Sequence, residues 1–311
     1  MESNPPTASF SGHETFPFRF PWLKKGFDAA SADPRVFWDE DAAMTTLGVG
    51  KNMVRSIRHW CLVSGVLEDA PRERRVRRSE LRPSTFGSWI FSDNGFDPYL
   101  EDPATLWLLH WRIASAAERA TTWYWAFSHV HDAEFTKDTL LSALQIWAQT
   151  AGYKRVSRGS LRRDIDCFIR TYVPSRHTKT TILEDTLDCP LVELNLLQEA
   201  GDRSTYQFVR GPQDHLPDFV FCYAVLTFWQ KCAGERETLS LHDLTYAAGS
   251  PGLIFKMSEN SLVDRLERID RLTKGAVSYD ETAGIKQLYR LKESSLKRIL
   301  STGYRQLAAI A

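Results

Sequence analysis

The sequence predicts a mainly α-helical protein with small β-hairpins, organised as tandem winged helix-turn-helix-like modules. Three observations predict this fold class: amphipathic helical segments recur along the chain, glycine-containing turns separate them, and short hairpin-like segments follow. Hydrophobic residues make up 43% of the 311 positions, which is enough to form buried cores. We divide the chain into an N-terminal arm at 1–36 and three modules at 37–100, 101–212 and 213–311.

Composition argues against a membrane or secreted protein. No run of about 18 apolar residues is present, and the first ten residues, MESNPPTASF, lack the charged start and apolar stretch of a signal peptide. The five cysteines are odd in number and widely spaced, which favours buried thiols over disulfides or a zinc site. We therefore expect a cytoplasmic protein.

Charge is balanced overall but unevenly distributed. The chain carries 39 basic and 39 acidic side chains, which argues against a protein that coats nucleic acid indiscriminately. Segment 51–82, however, has nine Lys or Arg against four acids, and segment 154–179 has eight against two. Basic segments on a neutral chain are typical of phosphate contacts. The alternative is a solvated charged face with no ligand.

The N-terminal arm contains FSGHETFPFRFPWLKKG at 10–26, which has neither helical nor strand periodicity. His13 and Glu14 are candidates for acid–base catalysis or metal binding. Arg19 and Lys24 are candidates for phosphate contacts. In the alternative, which is compatible with the first, aromatic residues pack the arm across the first module: Phe16, Phe18, Phe20 and Trp22.

The first module begins with two predicted helices, at 37–48 and 52–65, with Gly48 and Gly50 marking the turn between them. In the second helix, one apolar stripe is formed by Met53, Ile57, Trp60 and Cys61. Two strands should follow, at 66–69 and 81–91, joined by a basic wing. This order of elements is typical of a winged helix-turn-helix.

The opposite face of the second helix is the first candidate DNA surface. It is formed by Lys51, Asn52, Arg55, Arg58 and His59. Asn and Arg bind adenine and guanine edges in the major groove, so we expect Asn52 and Arg55 to read bases. Lys51 and Arg58 are expected to contact phosphate. A basic face on a packing module is the alternative.

The second and third modules repeat the same order of elements. Helices are predicted at 135–152 and 157–173, followed by a short apolar helix and a hairpin at 197–210. The outward face of the second of these helices is a further candidate DNA surface, formed by Arg158, Arg162 and Arg163. In the third module the arginines alternate with acids, which favours packing. The tryptophan-rich segment 106–130 is predicted to be helical core.

The residues alone give only weak signals of a catalytic or metal-binding site. The spacings of a nucleophilic triad, a zinc site and a dinucleotide fingerprint are absent from the sequence. Three acidic clusters are candidates for Mg²⁺ or Mn²⁺ binding, although helix starts, turns and exposed loops also explain them. They are Asp39–Glu40–Asp41, the group Asp93, Asp97, Glu101 and Asp102, and the group Glu184, Asp185 and Asp188. The metal ligands therefore stay open.

Several longer motifs, in order, resemble the bacterial SspB-type family of DNA phosphorothioation loci. They are FSGHETFPFRFPWLKKG, LGVGKNMVRSIRHW, DPYLEDPATLWLLHW, RATTWYWAF and LDCPLVEL, and the resemblance covers almost the whole chain. It implies a DNA-nicking protein that acts on double-stranded DNA in antiphage defence. It also implies three partners: a reductase-like sulfur-transfer enzyme, a cysteine desulfurase and an ATPase. It carries over no catalytic motif residue by residue.

Two functions follow as hypotheses. In the first, the protein is a divalent-metal-dependent endonuclease that nicks one strand of duplex DNA so that sulfur can be incorporated, with Mg²⁺ or Mn²⁺ as cofactor. In the second, it is a non-catalytic winged-helix DNA-binding adaptor that positions the modification complex. Both place the DNA contacts on the same basic faces.

Overall fold

The computed structural model describes residues 8–71, 79–153, 156–175, 188–201 and 204–309. Over these residues the protein is mainly helical with three small antiparallel sheets, which confirms the predicted fold class at that level. The chain forms two compact units. Unit one comprises Met1–Trp125 and Asp132–Phe208, and unit two comprises Ala126–His131 and Val209–Ala311. In the described residues, no helix combines the length and apolar character that a membrane crossing requires.

Unit one begins with a helix that the sequence did not predict. Helix α1 (Phe20–Ala32) lies inside the arm and starts with Pro21, which is favoured in a first helical turn. One side of α1, including Trp22 and Phe27, is buried. Gly26 interrupts the apolar periodicity because α3 passes close by: a Cβ there would lie 2.5 Å from Cys61 Sγ. The prediction that segment 10–26 is irregular is therefore wrong from Phe20 to Gly26.

The next two helices form as predicted. The Asp39 side chain accepts hydrogen bonds from the first amides of α2 (Glu40–Leu47), and Gly48 ends the helix with φ of 63°. Helix α3 (Lys51–Val63) buries Ile57, Trp60 and Cys61, whereas Met53 is only half-buried and Val54 takes its place in the core.

A short hairpin follows, with β1 (Leu67–Asp69) paired to β2 (Leu81–Pro83). The predicted second strand at 81–91 is wrong beyond Pro83, because the chain continues as helix α4 (Thr85–Phe91). The Ser84 hydroxyl caps this helix by accepting from the Gly87 amide. The arginine-rich part of the predicted wing, 72–78, lies outside the described residues.

Helices α5 (Pro103–Ala114) and α6 (Thr121–His129) confirm the predicted tryptophan-rich core. Four tryptophans are at most 3% exposed: Trp107, Trp111, Trp123 and Trp125. The boundary between the two units falls within α6.

The rest of unit one repeats the order of a strand, two helices and a hairpin. Its elements are β3 (Phe135–Thr136), α7 (Lys137–Thr150), α8 (Arg158–Tyr172), a 3-10 helix at Pro190–Leu194, β4 (Leu197–Ala200) and β5 (Thr205–Phe208). The strands form an antiparallel sheet in the order β3-β5-β4. Helix α8 buries the predicted stripe from Leu161 to Tyr172, and it also buries Asp164.

Unit two contains one long core helix, α9 (Asp218–Ala233), and a second sheet in the order β6-β8-β7. The remaining elements are β6 (Thr238–Ser240), α10 (Leu241–Tyr246), α11 (Pro251–Ile254), α12 (Glu259–Leu266), α13 (Ile269–Thr273), β7 (Val277–Thr282), β8 (Ile285–Arg290) and α14 (Leu296–Ala308). Arg265 on α12 is buried, and its guanidinium donates to the Leu216 carbonyl and the Asp218 carboxylate. This arginine therefore has the packing role that the sequence predicted. The division into an arm and three modules stays a prediction.

All five cysteines are free thiols. Four are buried, as predicted: Cys61, Cys167, Cys189 and Cys222. Cys232 differs, because it lies exposed in the last turn of α9. Burial raises the pKa of each buried thiol above its usual range.

We predict that Gly87→Ala destabilises the protein. A Cβ at Gly87 would lie 2.0 Å from the Val66 carbonyl oxygen, a backbone atom that cannot move aside cheaply. The free energy of unfolding in urea should fall by about 1–3 kcal/mol, the usual cost of overpacking. Gly50→Ala is the control, because nothing lies within 4 Å of its added Cβ. Equal stability of the two variants would contradict this account of α4.

Candidate nucleic-acid interface

A concavity of about 1180 Å³ lies in unit one over the outward face of α3. Its lining comes from the N-terminal arm, the start of α2, helix α3 and the first hairpin. Five of the predicted site residues line it together: Glu14, Lys51, Arg55, Arg58 and His59. Asn52 is exposed on the same helix but does not line the concavity. The candidate DNA surface on α3 is therefore the floor of a groove.

Glu40 at the start of α2 binds two of the predicted DNA-contacting cations. Arg55 donates to both carboxylate oxygens of Glu40, over 2.6 and 3.1 Å, and Lys51 Nζ lies 2.8 Å away. The hydrogen bonds from Arg55 first, and then those from Lys51, lower the pKa of Glu40 to about 2. Arginine also binds phosphate groups through this bidentate geometry. A phosphate must therefore compete with Glu40 for these two side chains.

Arg58 differs from its neighbours on α3. It is half-buried and lines the concavity, yet it makes no ion pair with any residue in the described part of the chain. Arg119, on the same lining, is paired with Asp69 at 3.0 Å. Arg58 is therefore the predicted phosphate contact on α3 that is not neutralised by any carboxylate the structure describes.

The His59 ring lies between the arm and the concavity. The arm approaches so closely that a Cβ at Gly12 would lie 2.3 Å from His59 Nδ1. The Nε2 atom is buried and has no hydrogen-bond partner among the described residues. Burial is the main cause that lowers the pKa of His59 to about 3, and the nearby charges of Arg58 and Arg119 act in the same direction. The ring is therefore neutral at pH 7 and adds no charge to this surface.

His13 is held in a buried network rather than presented to solvent. It is 1% exposed, and its Nε2 lies 2.9 Å from Asp164 Oδ1. Its Nδ1 accepts a hydrogen bond from the Thr15 amide, so the ring proton must be on Nε2 and is donated to Asp164. With both ring nitrogens occupied, His13 in this conformation offers no lone pair to a metal ion or a substrate proton.

Asp164 is the functional residue that sequence reasoning missed. Besides His13, its carboxylate accepts from the Ser11 amide and the Thr122 hydroxyl, each over 2.6 Å. The available signal was an acid at a core position of α8, between Leu161 and Ile165. A buried carboxylate needs such donors to offset its desolvation. Asp164 therefore fixes the arm to α8 and α6.

The arm also connects the two predicted basic faces. Glu14, with φ of 48°, lines the concavity over α3 and also a pocket of about 160 Å³ that Arg163 of α8 lines. The next residue, Thr15, accepts a hydrogen bond from Arg170 of α8 over 3.3 Å. Residues 11–15 therefore reach from the face of α3 to the face of α8.

The remaining predicted site residues line neither cavity. Arg19 stacks over the Trp22 ring at 5.4 Å, and Lys24 pairs with Asp28 and Asp93. Burial lowers the pKa of Lys24, but the bonds to these two carboxylates outweigh it and raise the pKa overall. On the exposed face of α8, Arg158 donates to Gln145 and Arg162 pairs with Asp138 at 3.0 Å.

Several described acids of the predicted clusters have structural roles. Asp97 is buried and accepts from the amides of Glu101 and Asp102 and from the Thr105 hydroxyl. Asp39 and Asp102 cap helices. Glu184 and Asp185 lie outside the described residues. Across the ranges that the structure describes, no group of three or more His, Cys, Asp or Glu side chains is placed to hold a metal ion.

Comparison with known proteins agrees with the whole-chain resemblance. A family model described as "Protein of unknown function (DUF4007)" matches residues 10–304. The chain belongs to the DUF4007 family.

This DUF4007 protein is also similar to two solved structures. One is the crystal structure of SspB, with 28% identity over 98% of this chain and 88% of that chain and a TM-score of 0.84. The other is magnesium ion-bound SspB, with 28% identity over 98% and 90% and a TM-score of 0.86. A search of curated proteins found no match. The resemblance to the SspB-type family is thus confirmed.

We predict that Asp164→Asn releases the arm. An amide replaces one acceptor oxygen by a donor and removes the negative charge, so the three partners lose the charge-assisted hydrogen bonds that the carboxylate accepts. The free energy of unfolding should fall by about 3–5 kcal/mol, as for other broken buried networks. Limited proteolysis should also cut the first 20 residues faster. Asp166→Asn is the matched control, because this neighbour is half-exposed and pairs with Lys137 outside the buried network. Equal protection of the arm in both variants would contradict its anchoring role.

His59 should make the protein less stable in mild acid. The unfolded chain takes up a proton at this histidine near pH 6.5, whereas the folded chain does so only near pH 3. Its contribution to stability is therefore complete above pH 6.5 and is lost as the pH falls toward 3. Between pH 7 and 5, urea unfolding of the wild type should lose about 2 kcal/mol more than unfolding of His59→Gln. Equal losses of unfolding free energy in the wild type and His59→Gln would show that folding does not lower the pKa of His59.

Proposed function

We propose that this DUF4007 protein is a duplex DNA-binding component of a bacterial DNA phosphorothioate modification and antiphage defence system. The observation that carries the proposal is the open concavity over α3, lined by Lys51, Arg55 and Arg58. The similarity to SspB over 98% of the chain supports the assignment to this system. The partners that this assignment implies are a reductase-like sulfur-transfer enzyme, a cysteine desulfurase and an ATPase.

Strand order supports a winged-helix architecture for the modules. In the two sheets β3-β5-β4 and β6-β8-β7, the first strand pairs with the last, and the last two strands form a hairpin. Helices lie in the chain between the first strand and the hairpin in both cases. We propose that all three modules are winged helix-turn-helix modules, and that α3 in the first module and α8 in the second face DNA.

The roles proposed for the individual side chains follow from their chemistry. Asn52 and Arg55 read base edges, whereas Lys51 and Arg58 hold phosphates. On α8, Arg158, Arg162 and Arg163 extend the phosphate contacts. DNA displaces the Glu40 carboxylate from Lys51 and Arg55, so binding exchanges one anion for another. Because His59 is neutral and nearly buried, it shapes the floor of the groove without attracting phosphate.

Strand nicking is proposed as the catalytic activity, with Mg²⁺ or Mn²⁺ as cofactor. One of the similar SspB structures is magnesium ion-bound. The described residues of this chain do not fit a metal site, because no three of their His, Cys, Asp or Glu side chains converge on one point. Beside the concavity, Asp39 caps α2 and Glu40 pairs with Lys51 and Arg55. We therefore derive no step through a metal ion, and no catalytic role follows from the buried His13.

A plasmid assay distinguishes the nickase hypothesis from the hypothesis of a non-catalytic adaptor. Purified protein is incubated with supercoiled plasmid and Mg²⁺, Mn²⁺ or a chelator, and conversion to open circles is followed on a gel. Metal-dependent conversion supports the nickase. If the plasmid stays supercoiled while the protein still binds duplex DNA, the non-catalytic adaptor is the correct form of the proposal. Absence of binding at low salt would overturn both.

We predict opposite effects from two substitutions in the concavity. Arg58→Ala should weaken binding of all duplex sequences alike and reduce the slope of log K against log salt by about 1, because one phosphate contact is lost. Glu40→Gln should tighten binding severalfold, because it frees Lys51 and Arg55. Glu259→Gln, which removes the same charge in unit two, is the control. Weaker binding by Glu40→Gln would show that Glu40 positions these cations rather than competes for them.

A further inference from the structure

The last helix of the chain presents a second, separate set of cations. Helix α14 buries one side against α9, where Gly303 meets the Phe219 ring and Tyr304 lies 5.4 Å from the same ring. The opposite side we call the α14 face. It consists of Lys297, Arg298, Ser301, Thr302 and Arg305. Lys297, Ser301 and Arg305 are four residues apart, and Arg298 and Thr302 directly follow the first two. These side chains therefore lie along one side of the helix.

No ion pair within the described part of the chain neutralises the cations of the α14 face. The sequence from 294 to 311 contains no Asp or Glu. Lys297 and Arg298 form no ion pair with any described residue, and Arg305 only donates to the Ser301 carbonyl of its own helix. By contrast, Lys51 and Arg55 share Glu40, and Arg162 is paired with Asp138. Unpaired cations gain the most from an external polyanion, because no internal partner has to be displaced.

Two of these cations are unfavourably placed for the helix that carries them. Lys297 and Arg298 lie in the first turn of α14, where the helix dipole favours acids, and no acid is present there. A sequence selected only for a stable helix would place the opposite charge at these positions. Departures of this kind are typical of functional surfaces.

The chemistry of the α14 face fits a phosphate backbone better than a protein surface. Lys, Arg, Ser and Thr are the side chains that contact DNA phosphates. A protein interface needs an apolar centre with aromatic side chains, but no large hydrophobic side chain is exposed between Leu296 and Ala308. The face also provides no aromatic ring on which an unpaired base can stack.

We propose that the α14 face binds the phosphate backbone of duplex DNA and supplies part of the salt-dependent affinity of the protein. The proposal rests on the proposed DNA-binding function and extends it to unit two. Bases are not read here. The α14 face therefore strengthens binding to every sequence equally, while α3 carries the sequence preference.

The test uses the full-length protein and a fluorescent 30-base-pair duplex, with anisotropy measured at several NaCl concentrations. The variant is Lys297→Gln, Arg298→Gln and Arg305→Gln combined. The control combines Arg271→Gln, Lys274→Gln and Lys286→Gln, which removes three charges elsewhere in unit two. Arg271 and Lys274 are exposed and Lys286 is half-buried. Thermal unfolding should be unchanged for the variant, because its three side chains are exposed.

We expect the variant to show a slope of log K against log salt that is smaller by about 2 to 3. Its affinity at low salt should fall at least tenfold. The control should retain both. An unchanged slope in the variant, an equal loss in the control, or a loss for one duplex sequence only would overturn the role of the α14 face and leave the α3 surface standing. If the wild type fails to bind any duplex at low salt, the proposed function itself fails, and this inference fails with it.

Discussion

The candidate DNA surface depends on the buried carboxylate of Asp164. Three donors from two distant parts of the chain converge on it: Ser11 and His13 from the arm, and Thr122 from α6. A charge this deeply buried is tolerated only when such bonds replace its water. The arm therefore takes one path across unit one. That path places Gly12 against His59 and Glu14 beside the cations of α3, so the shape of the concavity follows from it.

Several cations on the candidate DNA surfaces form ion pairs with nearby carboxylates. Glu40 neutralises two cations of α3, and Asp138 neutralises one of α8. Such exposed pairs add little to stability, but they keep isolated basic faces from attracting any polyanion strongly. Arg58 and the α14 face are left unpaired by described residues. The net charge of zero is thus compatible with specific rather than general affinity for nucleic acid.

Local patterns in the sequence predicted much of the fold. The apolar stripes of α3 and α8, the Asp39 cap and the strands of the later hairpins needed only periodicity and turn chemistry. Helices α1 and α4 were missed because Gly26 and Gly87 sit where another segment comes within contact distance, so they interrupt the helical pattern. The site was less predictable. The bond between His13 and Asp164 joins residues 151 positions apart, and no local pattern encodes such a pairing.

The buried thiols also limit how this protein can take part in sulfur chemistry. A cysteine that carries sulfur as a persulfide must be accessible and must ionise readily. Four of the five cysteines are enclosed by apolar side chains, and burial raises the pKa of the exposed Cys232 as well. The proposed function therefore assigns DNA binding to this chain and sulfur delivery to a different protein.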